Sequence, residues 1–246
     1  MSIIAVIPAR AGSKRLPGKN LMALGGRPLL AYSILLARSI PEIDRVVVVS
    51  DGEDILAAGA AWGAEACRLP VALADGSHLL ETIQYALANK PVLAEHPQWV
   101  VLLQPTSPLR LVEQCQGWIE ETLKARKVSY NRADNVDGLL TVDIGAYKLG
   151  SVDLDGYYQP EYRPGVEKQQ MVPRMRENGL FYLLRADNIR RGRLFGSQLL
   201  PRECRREQSL ANIDYQWDFD FTRWAFNHFR YRKEFERMEA ALGKHP

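Results

Sequence analysis

A dense group of cations follows the first apolar run of the chain, within residues 8–20. Gly12 and Gly18 allow tight backbone bends close to a ligand, and Pro17 stiffens the loop. Arginine and lysine supply hydrogen-bond donors and positive charge for phosphates. Asn20 adds an amide that is suited to reading the edge of a base. The pattern predicts a phosphate-binding loop, whose cations are Arg10, Lys14, Arg15 and Lys19.

Two common phosphate-binding motifs do not fit this segment. A Walker A loop has four residues between its first glycine and the Gly-Lys pair, followed by Ser or Thr. Here five residues separate Gly12 from Gly18, and Asn20 follows Lys19. The GxGxxG fingerprint of dinucleotide-binding folds is absent as well. A plain basic surface loop is the alternative, and the combination of glycines, prolines and cations disfavours it.

Composition narrows the class of protein. The chain has 246 residues, of which 46% are hydrophobic and 25% charged, as in an ordinary globular protein. No apolar run reaches the ~18 residues of a membrane span, so we expect no membrane partner. The formal net charge of +3 is small for a nucleic-acid binder. Clustered cations without a large global charge suit a small anionic ligand.

The cysteines and the N-terminus predict a cytoplasmic protein. Cys67, Cys115 and Cys204 form no CxxC pair, and the four histidines show no metal-ligand spacing. A disulfide framework or a zinc site is therefore not expected. The N-terminal apolar stretch is too short for a signal peptide and runs directly into basic residues.

The first half of the chain alternates strand and helix patterns. Continuous apolar runs predict buried strands at 3–8, 45–50, 64–68 and 99–104, and helical periodicity predicts helices at 28–39, 52–62, 77–89 and 111–125. This rhythm predicts an α/β fold with a mostly parallel sheet flanked by helices. Ligands of such sheets bind beyond the carboxyl ends of the strands. The polar segments 9–20, 50–54 and 104–110 lie at those ends.

The pattern changes after about residue 127. Further strands are predicted at 139–142 and 180–184, and one amphipathic helix at 217–242. Residues 145–175 are rich in Tyr, Gly, Pro and charge, without helical periodicity. A structureless insert of that length is unusual inside a compact domain. We therefore expect a single domain, 1–246, in which residues 140–175 form a small protruding segment that covers the site or contacts a partner subunit.

The loop resembles the signature of the sugar nucleotidyltransferases that use CTP and an acidic 2-keto-3-deoxy sugar. The resemblance is strongest to the acylneuraminate cytidylyltransferases, which have a Rossmann-like nucleotidyltransferase fold. Residues 102–110 (LLQPTSPLR) match a second family motif, and 177–182 (ENGLFY) resemble its Asn-Gly-x-x-Tyr strand. Agreement with the family motifs is looser at the turn 50–52, the stretch 69–75 and the segment 213–218. The similarity extends over residues 3–125 and, less closely, 165–225.

The resemblance implies an enzyme that moves CMP from CTP to a sugar of the sialic acid type, releasing pyrophosphate. Arg10, Lys14 and Lys19 would stabilise the leaving pyrophosphate, and Arg110 would brace its loop. The implied nucleotide-binding residues are Arg10, Ser13, Lys14, Lys19, Asn20 and Asp75. The implied sugar-binding residues are Gln104, Lys168, Gln169, Arg176, Asn178 and Tyr182. Asp214, with Asn212 beside it, would hold Mg²⁺, and a homodimer is expected.

Two departures from the family pattern concern the metal and the sugar. The metal motif has two aspartates in the family, and Asn212 occupies the first of these positions. Lys168 stands where the family often has an arginine for the carboxylate of the sugar. Three other readings stay open: transfer to an eight-carbon acid such as KDO, transfer of another nucleotide to a sugar phosphate, and a non-catalytic nucleotide-binding protein.

Overall fold

A central sheet forms because continuous apolar runs become strands that are buried on both faces. The computed structural model describes residues 2–74, 79–89, 96–128 and 136–243. The first strands are β1 (Ile3–Pro8), the short pair β2 (Ala23–Leu24) and β3 (Arg27–Pro28), β4 (Arg45–Ser50), β5 (Glu65–Arg68) and β6 (Trp99–Leu102). The later strands are β7 (Gly138–Gly145), β8 (Gly150–Val152), β9 (Tyr158–Pro160), β10 (Arg174–Arg185) and β11 (Leu199–Glu203).

Helices connect these strands and cover the sheet. In the first half they are α1 (Leu29–Arg38), α2 (Glu53–Ala61), α3 (Val71–Ala74), α4 (Leu79–Asn89) and α5 (Val112–Val128). In the second half they are α6 (Ala186–Arg190), α7 (Arg206–Leu210), α8 (Gln216–His228) and α9 (Tyr231–Leu242). In the described ranges, no helix is both long and apolar enough to cross a membrane.

The sheet is mostly parallel, as predicted. Its order is β11-β7-β10-β6-β1-β4-β5, and β10 is the strand that pairs antiparallel, with β6 and with β7. Strand β1 lies between β4 and β6, so the cation-rich loop leaves the middle of the sheet. The carboxyl ends of these three parallel strands meet at one edge, where ligands of α/β sheets bind.

Two hydrophobic layers hold the sheet, one on each face. The alternation of side chains along β1 sends Ile3, Ala5 and Ile7 into the larger layer and Ile4 and Val6 into the smaller one. All five are buried. The carboxyl end of the strand, and with it the start of the cation-rich loop, is therefore fixed by packing on both sides.

The insert is not structureless. Strand β7 continues to Gly145, β8 and β9 form a two-stranded hairpin, and a short 3-10 turn spans Lys168–Gln170. We call residues 146–173 the arm. The arm exposes large apolar side chains to solvent, and Leu154 at its hairpin is fully exposed.

The prediction of one final helix over 217–242 is wrong. The helix ends at His228, Phe229 adopts an extended backbone, and α9 begins at Tyr231. The break has a packing reason, because Phe226 and Phe235 both pack on Tyr32, with ring centroids 5.4 and 4.1 Å away. In one straight helix these two residues would lie about 13 Å apart along the axis. The turn brings both rings onto the same buried side chain.

Candidate active site

A cavity of about 600 Å³ opens at the carboxyl ends of β1, β4 and β6. Its volume is in the usual range for a small-molecule site. The three polar segments predicted at these strand ends all contribute to its wall. Its polar lining residues are Arg10, Ser13, Lys14, Arg15, Lys19, Asn20, Asp51, Thr82, Gln104, Thr106, Asn212 and Asp214.

Polar contacts fix the shape of the cation-rich loop. Asp51, which follows β4, accepts a hydrogen bond from the backbone N–H of Ala11 at 2.9 Å. Asn20 is buried, and its Nδ2 donates to the backbone carbonyl of Arg10 at 2.9 Å. Gly18 has a φ of 68°, a conformation that favours glycine. Asn20 therefore braces the loop from the cavity wall, and its predicted contact with a nucleotide stays a prediction.

The loop cations differ in how they are held. Arg10 and Lys14 are exposed at the cavity, beside the half-buried Ser13. Lys19 is more deeply set, and its Nζ donates to the carbonyl oxygen of Ile213 at 3.0 Å and to Oδ1 of Asp214 at 3.2 Å. Lys14 forms no ion pair with any residue in the described part of the chain. The loop thus combines one anchored cation with solvent-exposed ones that can meet an anion.

Asp214 is positioned by the start of α8. The carboxylate of Asp218 accepts hydrogen bonds from the backbone N–H groups of Asp214 and Tyr215, at 2.9 and 2.8 Å. Asp218 is buried in the first turn of the helix, where a negative charge is favourable. These hydrogen bonds fix the backbone of Asp214, whose side chain lines the cavity.

The donor chemistry at this wall fits a magnesium ion. Asp214 and Asn212 both line the cavity, and each offers an oxygen of the hard type that Mg²⁺ prefers. Mg²⁺ commonly uses one or two protein carboxylates and completes its shell with phosphates and water. Across the described ranges, no cluster of three or more His, Cys, Asp and Glu side chains could hold a metal ion by itself. A metal here would complete its shell with oxygen ligands from water or a substrate.

Gln104 lies at the end of β6, facing the bulge in β10. The pairing of β10 with β7 shifts register between Glu177 and Tyr182. Within this irregular stretch, Gly179 has a φ of 75°. A Cβ added to Gly179 would come within 3.0 Å of Oε1 of Gln104. Because Gly179 has no side chain, the Gln104 amide has space for its position on the cavity wall.

Arg110 is the brace that the sequence predicted. Its side chain is buried, and its guanidinium donates to the carbonyl oxygens of Leu180 and Gln104 and to Oγ of Ser33, at 2.5, 2.8 and 3.0 Å. Burial lowers the pKa of Arg110 to about 10, which leaves it protonated at neutral pH. One guanidinium therefore ties together β10, the end of β6 and α1.

Lys168 and Arg176 line a second cavity, of about 320 Å³, which we call the arm cavity. Arg176 donates to Oδ2 of Asp143 at 2.8 Å, and its guanidinium lies 5.4 Å from the ring centroid of Tyr147. Gln169 is exposed on the same 3-10 turn as Lys168. Lys168 and Arg176 thus line the same cavity. Gln104 lines the other cavity, at the carboxyl ends of the parallel strands.

Asp143 is a charged group in the wall of the arm cavity. Burial acts to raise its pKa, but hydrogen bonds from Ser209, Arg176 and Asn178 outweigh burial and lower it. The carboxylate stays ionised and holds the guanidinium of Arg176 in place. The arm cavity therefore presents an ordered arginine next to a lysine.

The side chains of Asn178 and Tyr182 are mostly buried. Oδ1 of Asn178 accepts a hydrogen bond from Oγ1 of Thr141 at 2.7 Å, and its Nδ2 donates to Sγ of Cys204 at 3.0 Å. The hydroxyl of Tyr182 donates to Glu177 at 3.2 Å, and burial raises the pKa of Tyr182. Both side chains stabilise the bulge in β10, and their predicted contacts with a sugar stay predictions.

Three residues complete the comparison with the sequence predictions. Asp75, predicted to bind nucleotide, lies outside the described residues. Arg15 and Thr82 line the cavity at the carboxyl ends of β1, β4 and β6, although neither was among the predicted nucleotide-binding residues. Arg15 belongs to the cation cluster, so its position was detectable. Thr82 reaches the cavity from α4, and no local pattern indicated it.

The fold and the cavity place this chain among the α/β proteins whose site lies at the carboxyl edge of a mostly parallel sheet. A sequence profile described as cytidylyltransferase matches residues 4–142. The chain belongs to the cytidylyltransferase family.

Three curated relatives each match about half of the chain. The CMP-N,N'-diacetyllegionaminic acid synthase of Legionella pneumophila is 38% identical over 122 residues, which cover 49% of this chain and 53% of that protein. The N-acylneuraminate cytidylyltransferase of Escherichia coli is 40% identical over 109 residues, 44% of this chain and 25% of the other. The 3-deoxy-manno-octulosonate cytidylyltransferase of Maricaulis maris is 35% identical over 125 residues, 51% of this chain and 46% of the other. The matches thus span from a quarter to about half of these relatives.

A solved structure extends the likeness to nearly the whole fold. The CMP:2-keto-3-deoxy-manno-octonic acid synthetase complexed with CTP superposes with a TM-score of 0.67. The match covers 92% of this chain and 99% of the other, at 15% identity. This likeness confirms the Rossmann-like nucleotidyltransferase architecture that the sequence predicted.

Proposed function

We propose that this protein transfers CMP from CTP to the anomeric hydroxyl of a nine-carbon 2-keto-3-deoxy acidic sugar of the sialic acid type. The observation that carries the proposal is the loop of Arg10, Lys14 and Lys19 at the rim of a nucleotide-sized cavity, in a member of the cytidylyltransferase family. Two of the three relatives described above carry names of nine-carbon sugar enzymes.

The reaction proceeds by direct displacement at phosphorus. The anomeric oxygen attacks the α-phosphorus of CTP and forms a new P–O bond, while the bond to the bridging oxygen of the β-phosphate breaks. Pyrophosphate leaves in line, and the proton of the hydroxyl passes to solvent. Such transfer depends on positioning and charge neutralisation more than on a reactive side chain. We assign no general base.

The loop cations have separate tasks in this mechanism. Arg10 and Lys14, exposed at the cavity, neutralise the charge that develops on the leaving pyrophosphate. Lys19, anchored on Ile213 and Asp214, fixes the depth at which the phosphates lie. Ser13 donates its hydroxyl to a phosphate oxygen, and Asn20 and Asp75 complete the nucleotide site.

Mg²⁺ is the cofactor in this proposal, held by Asp214 and Asn212. When bound, it would supply positive charge that offsets the negative charge of the phosphates. Asn212 supplies a neutral oxygen where a carboxylate would bind more firmly, so the phosphates of CTP must supply much of the affinity. The loop cations orient the phosphates.

The acceptor lies between the two cavities in this proposal. Gln104 contacts it from the nucleotide side, and Lys168 and Arg176 bind its carboxylate from the arm cavity. Gln169, Asn178 and Tyr182 are further acceptor residues, of which the last two act by shaping β10. An arginine that is already ordered by Asp143 loses less conformational entropy when it binds a carboxylate.

A homodimer and a cytoplasmic location belong to the same proposal. The arm and its base expose Leu149, Val152, Leu154, Tyr157, Tyr158, Val172 and Met175, a set of apolar side chains that a second subunit would cover. The three cysteines are buried and form no disulfide, as is usual in a reducing compartment.

Transfer to an eight-carbon acid is the second candidate. The observation in its favour is the 35% identity to a 3-deoxy-manno-octulosonate cytidylyltransferase. The segment Pro105–Arg110 after Gln104 favours the nine-carbon branch, because it resembles the motif of the acylneuraminate enzymes.

A single assay separates these candidates. Pyrophosphate release is measured with each of the four NTPs, with sialic acid or KDO as the acceptor, and the products are identified by mass spectrometry. Release that requires both CTP and sialic acid is the expected result. Release with KDO instead supports the second candidate. Release with another NTP contradicts both, and no release under any condition favours a non-catalytic nucleotide-binding protein.

A further inference from the structure

The carboxylate of Asp214 is engaged by two cations of the same loop. Nη1 of Arg15 lies 2.8 Å from Oδ2, and Nζ of Lys19 lies 3.2 Å from Oδ1. Both oxygens of the candidate metal ligand therefore already accept a charge-assisted hydrogen bond. The two loop residues are 199 and 195 positions away from Asp214 in the sequence, so the pairing is a product of the fold.

The two cations are held differently. The Lys19 side chain is 16% exposed and also bonds the carbonyl oxygen of Ile213. The Arg15 side chain is 59% exposed, and its second contact is the ring of Tyr215, whose centroid lies 5.6 Å from the guanidinium carbon. Lys19 is thus part of the wall, whereas Arg15 can leave Asp214 at little cost, because exposed ion pairs are weak.

We infer that Arg15 is an internal counter-ion that holds Asp214 in the nucleotide-free protein and competes with the divalent cation for its carboxylate. The inference rests on the proposed metal role of Asp214. A divalent cation needs the lone pairs that Arg15 occupies, and it repels a guanidinium a few ångströms away. Binding of the cation therefore requires that Arg15 move off Oδ2.

The displacement of Arg15 from Asp214 also affects how the triphosphate is bound. Arg15 lines the same cavity as Arg10 and Lys14. Once displaced from Asp214, its guanidinium remains beside the phosphate-binding loop and can pair with the triphosphate that arrives with the cation. Arg15 thus exchanges a protein carboxylate for the substrate phosphates as its partner.

The test measures metal binding without nucleotide or sugar. Mn²⁺ is titrated into the nucleotide-free protein, and the unbound ion is counted by electron paramagnetic resonance. Relative to the wild type, we expect Arg15→Gln to lower the dissociation constant about twentyfold, since the repulsion between a divalent ion and one positive charge at about 4–5 Å in water corresponds to roughly that factor. Arg15→Lys keeps a charge on the loop and should give an intermediate value.

Two further variants test whether the change in Mn²⁺ affinity arises at Asp214. Asp214→Asn should remove Mn²⁺ binding in both the wild-type and the Arg15→Gln background. Arg223→Gln removes an exposed ion pair with Asp220 on α8, at 2.9 Å, and should leave the dissociation constant unchanged. Thermal unfolding of each variant confirms that the fold is retained.

The outcomes are distinct from those of the transfer assay. An unchanged dissociation constant in Arg15→Gln, no Mn²⁺ binding in any variant, or binding that survives Asp214→Asn would each overturn the inference. If Arg15→Gln binds Mn²⁺ more tightly but CMP transfer is never observed, the counter-ion role stands and the proposed function is the part that fails.

Discussion

The guanidinium of Arg110 donates a 2.8 Å hydrogen bond to the backbone carbonyl of Gln104, six residues before it. Through its bond to Leu180, the same group joins this turn to β10. The position of Gln104 on the cavity wall therefore depends on a buried cation that does not itself line the cavity. A planar guanidinium can reach three acceptors at once, which the single nitrogen of lysine cannot do in the same directions.

Replacing Arg110 should destabilise the fold. Arg110→Met leaves two buried carbonyls and Oγ of Ser33 without their donor, and we expect a loss of roughly 3 kcal/mol in the free energy of unfolding. Chemical denaturation measures it. The surface variant Arg223→Met should change stability by less than about 0.5 kcal/mol. Equal stability of both variants would show that the brace contributes nothing.

Gly179→Ala should weaken acceptor binding. The added Cβ would lie 3.0 Å from Oε1 of Gln104 and would push the amide from its position. We expect a severalfold rise in KM for the sugar with CTP binding unchanged, as measured by steady-state kinetics. Gly192→Ala is the matched control, because Gly192 has a similar φ of 79° and nothing within 4 Å of its Cβ. A similar effect of both changes would indicate backbone strain instead.

Lys14→Ala should reduce turnover with CTP by about two to three orders of magnitude, since a cation at the reacting phosphates contributes chiefly to charge stabilisation. The melting temperature should stay the same, because Lys14 is exposed. Lys124→Ala removes an exposed lysine on α5 and serves as the control. Rates of Lys14→Ala that equal the wild type would contradict the assignment of this loop.

Lys168→Arg should tighten the binding of the acceptor. Arginine can bind a carboxylate through two parallel hydrogen bonds, whereas lysine acts as a point charge. We expect KM for the sugar to fall severalfold while kcat stays constant. Lys148→Arg, on the same arm, should leave both constants unchanged. An unchanged or higher KM in Lys168→Arg would place Lys168 outside the acceptor site.

The metal requirement can be tested at Asn212 and Asp214. Asn212→Asp adds a carboxylate beside the first, so the Mg²⁺ concentration for half-maximal rate should fall severalfold. Asp214→Ala should abolish turnover. A Mg²⁺ titration of CMP-sugar formation in the three proteins provides the measurement. If Asp214→Ala keeps the wild-type requirement, then the metal is held elsewhere.

Much of the fold was predictable because its strands are continuous apolar runs. Residues 3–8 and 45–50 form strands with the predicted bounds. Such runs are buried on both faces, so their structure depends little on which neighbour they meet. The break at Phe229 was not predictable, because it arises from the packing of two helices on Tyr32 and no glycine or proline marks it.

The candidate site, too, has parts that could be predicted from the sequence and parts that could not. The cation-rich loop could be found because all its residues are close in sequence. The pair of Arg176 and Asp143 could not, since it depends on the antiparallel register of β10 and β7 over 33 residues. The placement of Gly179 against Gln104 depends on a bulge, and short apolar sequences carry no clear signal for bulges.

Strand β10 sets a length scale for the acceptor. Arg176 lines the arm cavity, and Gly179, three residues further along the same strand, lies beside the Gln104 amide. Extended chain advances about 3.3 Å per residue, so the backbones of these two residues lie at most roughly 10 Å apart across the bulge. A molecule of about that length could reach both points. Under the proposed function, the strand would act as a ruler that favours acceptors long enough to span this interval.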